Sequence, residues 1–318
     1  MSNDLNSSFF RVRISTLIPE KPTNFDLFLK VGNQHVMYLR AGDKLDQEKI
    51  NQLNVRDNSG HFLVKNEDRL AYKKYIHEQI NSNQFDVAKK ASLLRESSIT
   101  LVEELFENPD VGQALENAKP IVNEFVQFMK SSPEAMGHLI SLSGHDFYTY
   151  NHSLDVSIYG LGLGEALGFN KTDLEQLGIG SLFHDIGKRQ VSLDILCKKG
   201  PLDPAEWAQM QKHPQFGYVI LNEQPNVSDA VKAACFEHHE SWAGGGYPQQ
   251  ISGHEIHPFA RIIAITDTYD ALTTQRSYNV PLKPQDALLM MKDKLAGRYD
   301  PDMLKAMYSV LFKMKSVA

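Results

Sequence analysis

Two kinds of apolar spacing divide the chain. Up to about residue 82, Val12 and Ile14, then Phe25, Leu27, Leu29 and Val31, then Val36 and Tyr38, alternate with polar neighbours. That two-residue period belongs to half-buried strands. Gly32-Asn33 and Asp57-Asn58-Ser59-Gly60 supply turn chemistry between such runs, and short helices are predicted over Gln47 to Leu53 and Glu67 to Ile80. From about Phe85 to Lys130 the period turns helical, with Leu93, Leu94, Leu101 and Leu105, then Ile121, Val122, Phe125, Val126 and Met129 at helical spacing. Such linking helices can join two domains, pair with their copies in a homodimer, or pack as an ordinary helix pair.

The C-terminal part reads as almost all helix. Thr172 with Glu175 has the spacing of a capping box ahead of Leu177, Ile179 and Leu182. Asp203, Pro204 and Glu206 mark another start, an acidic cap followed by proline at the first helical position. Gly168 and Gly200 read as helix exits. The expected fold class is mainly α, with a small N-terminal α+β domain over 1–82, linking helices over 83–130 and a helical domain over 131–318.

Composition narrows the function classes. The chain has 318 residues, 42% apolar and 23% charged, ordinary for a globular protein with a substantial core. A net charge of −6 leaves no electrostatic footprint for duplex nucleic acid. An anionic substrate must then be held by local charge. No apolar run is long enough for a membrane span, and Met1 to Phe10 lacks the basic start and apolar stretch of a secretion signal, so a cytoplasmic protein is expected. The two cysteines, Cys197 and Cys235, fit a reducing compartment. Cys235 with His238 has Cys-x-x-His spacing, but a buried helical thiol is the favoured reading.

The chemistry concentrates in seven nitrogen and oxygen donors: His152, His184, Asp185, His213, His238, His239 and Asp267. Imidazole and carboxylate suit iron, manganese, zinc or nickel, and the set exceeds what one tetrahedral ion needs. A site for two metal ions is the natural reading, and paired cations are a device for cleaving phosphate esters. On a continuous helix His184 and Lys188 would share a face, with Asp185 rotated by about 100° from His184. His238 and His239 repeat the pattern at the end of the helical segment Ala230 to Phe236, ahead of the turn-rich run Ala243-Gly244-Gly245-Gly246-Tyr247-Pro248. Asp267 follows the apolar stretch Phe259 to Ile265, where burial demands a partner. Arg276 could grip a phosphate or pair with Asp270.

Together these pieces resemble the HD-GYP family, a branch of the HD-domain metal-dependent phosphohydrolases. The matching residues are Asn151-His152-Ser153, His184-Asp185-Ile186-Gly187-Lys188, His213-Pro214, His238-His239-Glu240, Gly244 to Pro248 and Ala260 to Thr273, over roughly residues 140 to 300. The resemblance implies an HD-type helical bundle around two divalent metal ions, iron or manganese ahead of zinc, nickel or magnesium. It implies hydrolysis of cyclic di-GMP to pGpG, and further to GMP, by a hydroxide between the metals. The seven donors become the ligands, with Asp185 bridging. Asp185 and Lys188 carry catalysis, while Lys188, Tyr247 and Arg276 contact substrate. Glu240 is a candidate for orienting an imidazole.

Three departures from the family pattern stand out. Ala243 replaces the usual Asp before the glycines, Ser277-Tyr278-Asn279 replaces a Pro-Tyr-basic run, and Tyr148 stands where some members carry an extra Glu ligand, which favours two metals over three. Ala243 and Asn279 motivate a second reading, a metal-bearing receptor or scaffold that docks a GGDEF-type cyclase through the loop. A third is hydrolysis of another cyclic dinucleotide or nucleotide. The first 82 residues resemble the domains that precede many HD-GYP regions and lack the acidic pattern of a phosphoacceptor receiver, so a regulatory role is expected.

Overall fold

The computed structural model describes residues 8–32, 34–56, 62–143, 149–275 and 280–313. Asn33, the Asp57–Gly60 turn, Tyr148, Arg276 and Asn279 lie outside the described residues. Packing divides the chain into two units, 1–104 and 105–318.

The first unit is built on an antiparallel sheet. Strands β1 (Phe9–Val12), β2 (Leu27–Val31), β3 (Gln34–Leu39) and β4 (Phe62–Lys65) lie in the order β1-β4-β2-β3. Phe10 pairs with Val64, Leu63 with Phe28, and Lys30 with His35. The period-two reading anticipated three of these strands but not β4. Phe62, Leu63 and Val64 are all buried because β4 lies between β1 and β2, so it shows a continuous apolar run without alternation. Ile14 falls in a 3-10 turn, Ile14–Thr16, instead of extending β1. Helices α1 (Gln47–Arg56) and α2 (Arg69–Ile80) follow the expected segments, and α2 seals the sheet with Tyr72 and Tyr75. The Tyr75 hydroxyl accepts from the Ile18 amide at 2.9 Å, and the Tyr72 hydroxyl donates to Thr16 Oγ1 at 3.1 Å. Buried phenols thus keep their polar ends satisfied. Helix α3 (Val87–Glu107) starts in this unit.

The second unit is helical: α4 (Val111–Met129), α5 (Ala135–Leu142), α6 (Thr149–Ala166), α7 (Lys171–Phe183), α8 (Leu193–Leu196), α9 (Pro204–Met210), α10 (His213–Asn222), α11 (Asp229–Glu237), α12 (Pro258–Thr273), α13 (Pro284–Asp293) and α14 (Pro301–Lys313). Helix α6 is buried on every face from Asn151 to Gly164, with α5, α7, α12 and α14 packed around it. A helix enclosed in this way carries no polar stripe. Its Val156, Tyr159 and Leu163 meet Ile262, Ile263 and Ile265 of α12 in the main core.

Several helix ends follow the sequence and two do not. Asp203 and Glu206 form the expected capping box on α9. Gly168, at φ 82°, closes α6 as the Phe169 amide donates back to the Gly164 carbonyl at 3.0 Å. The cap of α7 is Asn170, not Thr172: its side chain accepts from the Asp173 amide at 3.0 Å. The chain reversal at Gly168 lets the helix begin two residues earlier than the Thr172 spacing suggests. Gly200 lies in the α8–α9 connection, since Cys197 has already closed α8 by donating to Leu193 at 2.8 Å.

Candidate metal centre

Helix α7 stops at Phe183, and a 3-10 turn runs from Ile186 to Gln190, so His184 and Asp185 stand at a joint rather than inside one helix. This corrects the shared-face reading of His184 and Lys188. Lys188 reaches back three residues, and its Nζ donates to Asp185 Oδ2 at 2.5 Å. Gly187 makes the joint workable. A Cβ there would lie 1.9 Å from the His213 carbonyl oxygen and 2.4 Å from the Gly217 nitrogen, so only glycine lets the turn press against the start of α10. That contact delivers His213 to Asp185.

The Asp185 carboxylate faces two ways. Oδ1 lies 3.2 Å from His213 Nε2 and 3.9 Å from His238 Nε2, while Oδ2 lies 3.3 Å from His184 Nε2 and 4.0 Å from His152 Nε2. Among the described residues, ligand atoms of Asp185, His213, His238 and His239 fall within 4.8 Å of one another, as do those of His152, His184 and Asp185. Asp185 belongs to both groups. Asp267 falls outside both by that measure, yet its Oδ1 lies 3.2 Å from His152 Nε2. Six of the seven expected ligands therefore form two sets that share a carboxylate, and the seventh flanks one of them.

The imidazoles are held by their far nitrogens. His184 Nδ1 donates to the Ser181 carbonyl at 2.7 Å, His213 Nδ1 to Met210 at 2.8 Å and His238 Nδ1 to Cys235 at 2.7 Å. Each acceptor is the carbonyl three residues back, at the end of α7, α9 or α11, where helical carbonyls lack an intrahelical donor. His152 Nδ1 donates to Asp270 Oδ2 at 2.6 Å. With Nδ1 donating outward, His184, His213 and His238 turn Nε2 toward the centre. His213 Nε2 and His238 Nε2 face each other at 3.3 Å, and His184 Nε2 and Asp185 Oδ1 are buried without a hydrogen-bond partner. Buried imidazole nitrogens converging on a shared carboxylate, two of these atoms without a hydrogen-bond partner, fit divalent cations, which would be held by these residues.

Charge follows the same logic. Burial would raise the Asp185 carboxyl, but the Lys188 ammonium and His184 hold it well below the usual carboxylate range. Asp267 is likewise lowered against its burial, by His152. Burial lowers His238, helped by the neighbouring imidazoles, and takes His239 down to about 3, so both stay neutral. His152 differs: burial opposes its charge, but Asp267 and Asp270 outweigh that and raise it to about 10.

The loop after α11 frames the centre. Gly246 passes so near the main chain that a Cβ would lie 2.5 Å from Glu240 Cα, which brings the Tyr247 ring onto His239, stacked at 4.8 Å and 29°. Glu240 Oε1 accepts from the Gln249 amide at 2.6 Å and the Gln250 amide at 3.1 Å. It braces this loop and orients no imidazole, which corrects its expected role. At Ala243 the amide donates to the Gly297 carbonyl at 2.8 Å, and a Cβ on Gly297 would approach the Ala243 methyl at 3.2 Å. Cys235 is a buried thiol donating to the His184 carbonyl at 3.2 Å and belongs to neither donor group. Arg276 lies outside the described residues, and Asp270 bonds His152 and Thr274. Sequence reasoning missed Asp270 as an orienting group; its place three residues after Asp267, on the same helix, was the available signal.

Residues 134–303 match the model of the HD domain. Over 220 residues the chain is 32% identical to a Pseudomonas aeruginosa protein named cyclic di-GMP phosphodiesterase PA4108, covering 69% of this chain and 53% of that one. Over 225 residues it is 31% identical to Vibrio cholerae 3'3'-cGAMP-specific phosphodiesterase 3, covering 67% of this chain and 48% of that one. The chain thus spans about half the length of these relatives. The solved structure of Bd1817 from Bdellovibrio bacteriovorus, described as a HDG"Y"P protein, superimposes with a TM-score of 0.74 at 21% identity, covering 95% of this chain and 99% of that one. That likeness concerns the fold. No helix among the described residues is long and apolar enough to cross a membrane.

Proposed function

The chain belongs to the HD-domain family, and from that premise we propose that it is a metal-dependent phosphodiesterase that hydrolyses cyclic di-GMP to pGpG, and further to GMP. The observation that carries this reading is the Asp185 carboxylate shared between two sets of inward-facing imidazoles. His152, His184, Asp185 and Asp267 would hold one ion, and Asp185, His213, His238 and His239 the other. Two divalent cations there supply an acidified water and neutralise phosphate oxygens, which is what cleavage of a phosphodiester requires. Nitrogen and carboxylate donors without thiolate suit iron or manganese.

The chain's own groups do the rest. Asp185 stays ionised under the influence of Lys188 and His184. Lys188, a third exposed, carries a cation at the edge of the donor set where negative charge builds on the phosphate. Tyr247 shields one side of His239, and Asp270 keeps the His152 ring turned so that Nε2 faces inward. Arg276 is assigned to substrate phosphate by its place in the motif. Residues 1–82 are assigned a regulatory role, with linking helices over 83–130, an arrangement that suits a cytoplasmic homodimer and docking of a GGDEF-type cyclase on the Gly246-Tyr247-Pro248 loop.

The test is turnover with verified metal content. Protein loaded with iron or manganese should convert cyclic di-GMP to pGpG by chromatography, and His184→Ala or Asp185→Ala should abolish it. Inactivity with two bound ions per chain would overturn the reading.

A further inference from the structure

We propose that Trp207 is a stacking platform for a purine base of the substrate, a base subsite beside the metal centre. This rests on the phosphodiesterase reading and extends it from phosphate to base. Trp207 leaves 47% of its surface exposed, although its large apolar ring gains most from burial. Its ring meets Tyr247 edge to face, with centroids 6.4 Å apart at 83°. Tyr247 stacks on His239, and His239 lies in the donor group of Asp185. A series of rings therefore runs from the donor cluster outward, ending in an indole open to solvent.

The local structure makes that indole a firm support. Helix α9 begins with Pro204 under the Asp203–Glu206 capping box, and Lys198 pairs with Glu206 at 2.5 Å, which fixes the turn that carries Trp207. Cations and Lys188 recognise phosphate and are blind to the base. Within the ring series, His239 and Tyr247 stack on one another, and Trp207 is the ring most exposed to solvent. A nucleobase lies one ribose away from its phosphate, and aromatic stacking of a base changes affinity by roughly 10-fold or more. Any purine stacks, so the same platform would accept guanine or adenine.

The chain has two tryptophans, and a Trp242→Phe background leaves Trp207 as the reporting fluorophore. On rapid mixing of the metal-loaded protein, cyclic di-GMP should quench this fluorescence saturably, and inorganic phosphate should not. In the wild-type background, Trp207→Ala should raise KM for cyclic di-GMP about 10-fold with kcat within about twofold, and Trp207→Phe should restore most of the loss. The inhibition constant of inorganic phosphate should stay unchanged. Absence of quenching, or an unchanged KM in Trp207→Ala, would overturn the base subsite. If cyclic di-GMP is not hydrolysed at all, the phosphodiesterase reading fails, while quenching by the dinucleotide still decides the role of Trp207.

Discussion

His152 and Asp270 meet across 118 residues of sequence, with Nδ1 donating to Oδ2 at 2.6 Å in a buried setting. Asp270 is fully buried, and its other oxygen accepts from the Thr274 hydroxyl at 2.9 Å. A carboxylate held on both sides fixes the ring that it holds.

Asp270→Asn keeps the shape of that group but removes its charge. Metal affinity should fall about 10- to 100-fold with the helical content unchanged. Competition against a chelating dye reads the affinity, and circular dichroism the fold; undiminished affinity would deny Asp270 this role.

Because Asp185 alone belongs to both donor groups, single substitutions should separate the two ions. His184→Ala is expected to lose one, His239→Ala the other, and Asp185→Ala both. Elemental analysis after dialysis distinguishes this from a single shared ion, which any of the three would release. Chelation of the wild-type protein should lower its melting temperature, since ions bound only by the native state stabilise it.

Gly187→Ala should damage the centre without touching a ligand. The new methyl would meet the His213 carbonyl, and backbone cannot rotate away as a side chain can. Overpacking of this kind costs about 1–3 kcal/mol, and displacement of His213 adds weaker metal binding. Urea unfolding together with metal titration would show both losses; wild-type values for the pair would contradict the close-approach account.

A pH dependence follows from His257, which caps α12 by accepting from the Phe259 amide at 3.1 Å. Burial, reinforced by Arg261, lowers its pKa from 6.5. The unfolded chain takes up a proton near pH 6.5 that the folded chain refuses. This stabilisation is therefore complete above that pH and is lost as pH falls through it toward the depressed folded value. Urea midpoints should drop between about pH 7.5 and 5.5, and His257→Asn, which retains an acceptor, should shrink that drop.

Arg189 closes the end of α3: its Nη2 donates to the carbonyls of Leu105 at 3.1 Å, Phe106 at 2.5 Å and Asn108 at 3.0 Å. A cation there complements the helix dipole. Arg189→Ala should speed amide exchange in the last turn of α3, and Phe106, stacked on Phe183 just before His184, should share in the loosening. Unaltered exchange would show the three contacts to be dispensable.

The sequence by itself determined the chemical inventory and most of the scaffold. Donor identities, the helical period beyond residue 131, the Asp203–Glu206 cap and the placement of β2 and β3 are local properties, legible because neighbouring residues create them, although the burial of those two strands does not alternate and Val31 and Val36 are exposed. Tertiary structure alone decided the break at His184–Asp185, the two-way facing of the Asp185 carboxylate, the partnership of His152 with Asp270, the loop-bracing role of Glu240 and the burial of Phe62, Leu63 and Val64 in β4. Each of these depends on a carbonyl, a lone pair or a close backbone approach supplied from elsewhere in the chain. Side-chain spacing carries no record of such partners, because main-chain atoms are the same at every position and only folding brings them within reach.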